Sequence, residues 1–359
     1  MPSSTTDSEA PPEHHLGPAH HGFDPNQPRV PSGHSDGGQW TATPGSGQPS
    51  SPRREAVVDR SGQETWGSYA NTYRADGTLA EQRVFNRDGS RIVSQFNTPG
   101  GDWDERHTVV AGDGTKVTFE NRGDIQAIYD GDGRPISATV WTDNGPAPLA
   151  TVQPAYLTPL QSPIQKGIEA AAAVLFTWLS SRNGPDSTAV LTLPAQQFRI
   201  GDDRKFNPLN VRQLSAEELE KACPLHDKVQ EKTNEAAGAV NRTNYSSAAA
   251  YGTAVHMALQ EKIKELGLAN LRPEVSLLKT LQETGELPRG EAQETRYGTK
   301  GSIRVDVLEN TKHNMVCVYD IKTGIVGLIP TRIIEIARTV YLRYPHTRGI
   351  VVIEMRPYR

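Results

Sequence analysis

With 359 residues, the chain is long enough for two domains or more. Its hydrophobic fraction of 35% and mean hydropathy of -0.57 fall below those of a fully packed globular chain, so part of it is expected to lie outside any core. The formal charge of -4 is unevenly spread: residues Tyr251 to Arg359 hold 16 Lys+Arg against 12 Asp+Glu, a mild basic surplus that suits a polyanionic partner.

Met1 to about Pro52 is rich in Pro, Gly, Ser and His and poor in aliphatic residues, which predicts a disordered tail. Its N-terminus has no basic-then-apolar signal pattern. Within the tail, FDPNQPRVPSGHSDGGQW, Phe23 to Trp40, resembles a short segment of phage head-associated and bacterial toxin-like multidomain proteins. Residues 53–150 change texture. Asp76-Gly77, Asp88-Gly89, Asp113-Gly114 and Asp132-Gly133 punctuate short alternating runs, which predicts a β-hairpin repeat segment. The acids are not spaced like those of a calcium loop, so a structural repeat is the reading.

Residues 151–212 are read as a helical linker: one Ala-rich helix over Pro159–Ser181, then a polar stretch to about Asn210. The apolar part of that helix, Gly167–Leu179, is too short for a bilayer and contains Glu169. These features point to a non-membrane chain made in the cytoplasm, with export by a signal-peptide-independent route left open. Ser215 with Glu218 three residues on has the spacing of a capping box, which starts a helix over Ala216–Ala222. Two cysteines, Cys223 and Cys317, exclude a disulfide-scaffold protein and a Cys-rich zinc site, and Cys317 is read as a small core side chain.

Residues 213–359 read as an ordered unit. Ser246–Leu266 is an amphipathic helix with Val255, Ala258, Leu259, Ile263 and Leu266 on one face and His256 beside it. A strand over Pro273–Leu278, two strands around Asp306 and Asp320, a helix opened by Pro330 and a strand over Gly349–Met355 follow, giving the order αβββαβ with a mixed sheet. Asp306 and Asp320 each interrupt an apolar strand, and Lys322 shares a face with Asp320. A buried charge needs a partner, and a divalent cation shared by the two acids is one.

The helix with Gly252-Thr253…His256, the acid on the first strand, Gly301-Ser302…Arg304…Asp306 on the second and Tyr319-Asp320-Ile321-Lys322-Thr323-Gly324 on the third resemble the PD-(D/E)XK nuclease superfamily. The nearest branch is that of RecB-like and phage-type exonucleases. The resemblance covers about a third of the chain. It implies a C-terminal α/β restriction-endonuclease-like domain and a Mg²⁺- or Mn²⁺-dependent phosphodiesterase. Asp306, Asp320 and Lys322 would then be catalytic, and Asp306, Asp320, the Ile321 carbonyl, His256 and Glu274 would hold metal. Arg332, Arg338, Arg343 and Arg348 are candidate phosphate contacts. The whole layout resembles bacterial polymorphic toxins, which implies nucleic acid as substrate, DNA before RNA, and an immunity protein as a partner. The rival readings are an inactive nucleic-acid-binding module and a structural repeat protein with a C-terminal anchor. The compactness of the last unit predicts that a fragment from Gln213 to Arg359 folds alone.

Overall fold

The computed structural model describes residues 53–149, 162–194, 209–279, 294–324, 326–344 and 347–358. The tail expected to be disordered, with its Phe23–Trp40 segment, lies outside them.

The first described part is a nine-stranded antiparallel meander in which each strand pairs with the next. Its strands are β1 (Arg54–Val58), β2 (Trp66–Tyr73), β3 (Leu79–Asn86), β4 (Arg91–Phe96), β5 (Glu105–Val110), β6 (Lys116–Arg122), β7 (Ile125–Tyr129), β8 (Pro135–Thr142) and β9 (Gly145–Pro148). All four Asp-Gly pairs sit in hairpin loops of one geometry. In the β2–β3 loop, Gly77 donates its amide to the Arg74 carbonyl, and the Arg74 amide donates to the Thr78 carbonyl. The loops at Gly89, Gly114 and Gly133 repeat both bonds. Each glycine has φ between 79° and 87°, the left-handed conformation that closes a three-residue hairpin loop and favours Gly. The Asp76, Asp88 and Asp113 carboxylates accept from the backbone amide two residues on, so these acids brace their own turns.

The remaining elements are α1 (Ser162–Ser180), β10 (Ser187–Pro194), β11 (Asn210–Ser215), α2 (Ala216–Ala222), α3 (His226–Ala239), α4 (Ala248–Glu265), β12 (Leu271–Leu278), β13 (Ser302–Asn310), β14 (Met315–Ile321), α5 (Pro330–Arg343) and β15 (Gly349–Met355). Six of these strands form a second sheet, in the order β11-β10-β15-β14-β13-β12. Only β14 and β15 run parallel, joined by the crossover helix α5.

The expectation of an αβββαβ nuclease fold is overturned. The described residues are 40% strand and 27% helix, with the nine-stranded antiparallel sheet as a major part of them. Strands β10 and β11, from the stretch read as a helical linker, join the second sheet beyond β15. The run Ser187–Pro194 carries Val190, Leu191 and Leu193, all buried, and alternates them with Thr; its own pattern is that of a strand.

Buried side chains divide by sheet face. One face of the second sheet, with Val316, Val318, Ile350 and Val352, shares a core with α1, α5 and the meander residues Val84, Val109, Phe119 and Ile128. The opposite face, with Met315, Cys317, Tyr319 and Val351, packs on α2, α3 and α4 through Leu219, Val229, Val255, Leu259 and Ile263. Helix α1 thus lies between the two sheets. Polar contacts join them as well. The Gln126 side chain donates to the Val211 carbonyl and accepts from the Val211 amide at 2.7 and 2.8 Å, so it pairs with the outer edge of β11 as a strand would. Trp178 on α1 donates to Gln82 at 3.0 Å.

Cys223 and Cys317 form a disulfide, which corrects the reading of Cys317 as a simple core residue. The two are 94 positions apart, and only the packing of α2 on the face of β14 brings them together.

Candidate metal centre

The site forms where β13 and β14 part. They pair from Val307 to Asn310 against Val316 to Tyr319, and the pairing stops just before Asp306 and just after Tyr319. Beyond that point the Asp306 carboxylate takes the place of the missing strand, accepting from the Ile321 amide at 2.7 Å. The Ile321 contact that forms is therefore through its amide.

Strand β12 supplies the next acid. Glu274 stands opposite Asp306 with φ of 57°, a left-handed conformation unusual for a residue with a β-carbon. Its burial raises the carboxyl above the ordinary range, and the neighbouring Asp306 adds to the effect while Arg304 and His256 oppose it. Arg304 lies 2.7 Å from Glu274 Oε2.

Helix α4 supplies the imidazole. Ser247 caps it by accepting from the Ala250 amide. A β-carbon at Gly252 would meet Thr323 Oγ1 at 3.0 Å, so the small residue lets the first turn approach the loop that carries Lys322. One turn on, and on the same helix face, His256 places Nδ1 at 3.2 Å from Asp306 Oδ1 and 4.0 Å from Glu274 Oε1.

One ligand atom from each of His256, Glu274 and Asp306 lies within 4.8 Å of the other two, so this largely buried group could hold a metal ion. Three atoms at the site, His256 Nδ1, Glu274 Oε2 and Asp320 Oδ2, are buried beside opposite charges without an aligned hydrogen bond. Carboxylate oxygens and an imidazole nitrogen brought this close together are ligand types that a divalent cation takes.

Asp320 sits next to this trio and is ion-paired with Lys322. Burial, and then the Asp306 charge, push its carboxyl up to about 6, against the pull of Lys322. Burial would also raise Asp306, but His256, the Ile321 amide and Lys322 hold it below the ordinary value. For His256, burial pulls the imidazole down, and the surrounding carboxylates of Asp306, Glu274 and Asp320 outweigh it. The arrangement is a nest of three acids beside the His256 imidazole, with Lys322 and Arg304 offsetting part of their charge.

The arginines on and after α5 divide differently from the sequence reading. Arg343 is 3% exposed and donates to the Leu278 carbonyl, where it ties α5 to β12. Arg338 pairs with Glu169 on α1. Arg332 binds Glu335 and the Arg304 carbonyl, close enough to Asp320 to favour its charge. Arg348 is exposed. Of the four, Arg343 is corrected from a phosphate contact to a structural residue, because its guanidinium is buried in the sheet–helix seam. Sequence reasoning quotes Arg304 within a motif and leaves Tyr297 undistinguished in a polar loop, and gives neither a role; the Tyr297 ring centroid lies 4.8 Å from the Arg304 guanidinium carbon. Their relation to Glu274 depends on the pairing of β12 with β13, which no local pattern announces.

Comparison with protein families, characterised proteins and solved structures returns no match to this chain. Among the described residues, no helix is long and apolar enough to cross a membrane.

Proposed function

We propose that the protein is a metal-dependent nuclease that hydrolyses phosphodiester bonds, acting as a DNase of bacterial toxin or effector type. The observation that carries this reading is the convergence of His256, Glu274 and Asp306 beside the Asp320–Lys322 pair. The donor set is mainly carboxylate, which suits Mg²⁺ or Mn²⁺, and the imidazole favours Mn²⁺. His256, Glu274, Asp306 and Asp320 would hold the ion. A bound divalent cation supplies Lewis acidity toward the phosphate and a bound water of lowered pKa.

The chain's own groups do the rest. Lys322, anchored by Asp320, can offset charge building on the phosphate oxygens or orient the attacking water. His256 must give up any proton on Nδ1 before that atom can ligate. The resemblance of the Gly252…His256, Asp306 and Asp320-Ile321-Lys322 motifs to PD-(D/E)XK nucleases supports the reaction type; the architecture around them differs. A buried disulfide fits a protein that works outside the reducing cytosol, which supports export, and an immunity protein would then guard the producing cell.

One observation favours a second reading, a non-cleaving nucleic-acid-binding module: Asp320 is engaged with Lys322 and lies outside the trio that converges most tightly. Incubation of the full chain with plasmid, single-stranded DNA and tRNA over a Mg²⁺ and Mn²⁺ titration decides between them. Metal-dependent cleavage abolished by Asp306→Ala is expected. Binding without cleavage at any metal concentration would establish the module instead.

A further inference from the structure

Two aromatic–arginine contacts lie on segments that carry the candidate centre, one at β13 and one at the start of α4. On the β12–β13 side, Tyr297 is 78% exposed and packs against neither core cluster. The Arg304 guanidinium lies 4.8 Å from its ring centroid and is itself 2.7 Å from Glu274. On the α4 side, Tyr245 and Tyr251 meet edge to face at 6.2 Å, and Arg242 lies 5.6 Å from the Tyr251 ring. Tyr251 directly precedes Gly252, the residue that lets α4 approach Thr323 beside Lys322. The metal trio therefore has an exposed, cation-backed ring beside Glu274, and the helix that carries His256 begins with a partly exposed aromatic pair.

Resting on the nuclease reading, we propose that these stacks are platforms for unpaired bases, and that the substrate is single-stranded nucleic acid or a frayed end. The physics is simple. An aromatic face stacks on any base, and a guanidinium behind the ring adds attraction for base and phosphate together. In a duplex the base faces are already stacked on each other and closed to a protein ring, so platforms of this kind have a use only with unpaired nucleotides. Arg304 has a double part: it balances Glu274 and orients Tyr297, which fixes the platform relative to the metal group.

The test uses the full chain in EDTA, where no divalent ion supports turnover, with 5′-fluorescein-labelled dT12 followed by anisotropy. A tetrahydrofuran-phosphate strand of equal length and a 12-base-pair duplex are the comparison ligands. Stacking of this kind predicts that Tyr297→Ala weakens dT12 binding by about 5- to 100-fold, that Tyr297→Phe restores it, and that the abasic strand responds to neither change. Arg242→Ala, on an exposed side chain, should weaken dT12 again at the start of α4. Equal binding of dT12 and the abasic strand, tighter binding of the duplex, absence of dT12 binding, or indifference to Tyr297→Ala would each overturn the platforms. The nuclease reading fails separately, if no Mg²⁺- or Mn²⁺-dependent cleavage appears while base-dependent binding persists.

Discussion

Burial and the neighbouring Asp306 lift the Asp320 carboxyl to about 6, from an ordinary value near 3.8. A carboxyl that prefers its proton in the folded state makes that state lose stability as pH rises between about 4 and 6, because the unfolded chain has already released the proton. His256 acts in the same direction at higher pH: its raised value means that stability present below the unfolded pKa is lost as pH climbs through the folded one. The metal-free protein should therefore be more stable near pH 5 than near pH 8. Asp320→Asn should flatten the lower part of that slope and stabilise the metal-free protein at pH 8 by about 1 to 3 kcal/mol, given about 1.4 kcal/mol per pKa unit. Thermal denaturation at the two pH values checks this, and a destabilised variant would mark the Asp320–Lys322 pair as a structural bridge. The same protons compete with a cation, so Mn²⁺ affinity measured by calorimetry should rise from pH 6 to pH 8. Asp306, Asp320 and Lys322 were conspicuous in the sequence because charge inside an apolar strand has few bland explanations. Arg304 and Tyr297 were not, since an Arg near a strand start and a Tyr in a loop are ordinary until β12 pairs with β13 and turns Glu274 toward them.

Elements whose signals are local came through well. The Ser215–Glu218 capping box forms with both reciprocal bonds, and the helix it starts ends at Ala222 as its spacing implies. Strand β14 occupies Met315–Ile321, the run read as a strand, and Val255, Leu259 and Ile263 are the buried stripe of α4. Elements that depend on distant partners did not come through. Strand β11, Asn210–Ser215, carries Arg212 and Gln213 yet is almost wholly buried, because Arg212 donates to the Asp124 and Gly123 carbonyls across the sheet junction. The disulfide belongs to the same class: Cys223 ends α2 and Cys317 faces it from β14, with nothing in either neighbourhood to pair them. Closing a loop of 94 positions restricts the unfolded chain strongly, by about 4 to 5 kcal/mol in the loop-entropy model. Replacing both cysteines with Ser should lower stability by about 2 to 5 kcal/mol in urea denaturation. An unchanged midpoint would show that the apolar packing of Leu219 and Ala222 alone holds α2 in place.

The two sheets and α1 share one core, and this changes what a fragment can do. Cutting at Gln213 leaves α4, β12, β13, β14, α5 and β15 intact, with every candidate ligand on them. It also removes β10, which pairs with β15 from Val190 to Pro194, and so converts β15 from an interior strand to an open edge. It strips α1 as well, uncovering the face that carries Val316, Val318, Ile350 and Val352. That contiguous apolar surface would exceed what a monomer keeps exposed. The independent folding expected of Gln213–Arg359 should therefore fail, and the fragment should aggregate or populate a loosely packed state. A fragment of residues 53–359 keeps both sheets, α1 and the Gln126–Val211 seam, and should denature in one cooperative transition close to that of the full chain. Urea titrations make the comparison, followed by circular dichroism for both fragments and by tryptophan fluorescence for 53–359, because residues 213–359 contain no tryptophan. Trp178 is the useful reporter once Trp66, Trp103 and Trp141 are replaced with Phe, because it sits in α1 between the sheets and donates to Gln82 of the meander. Separate transitions for Trp178 and for total secondary structure in the 53–359 fragment would mean that the meander is a removable appendage. A soluble, cooperatively folding Gln213–Arg359 would mean that the site-bearing strands close a core without β10 and α1.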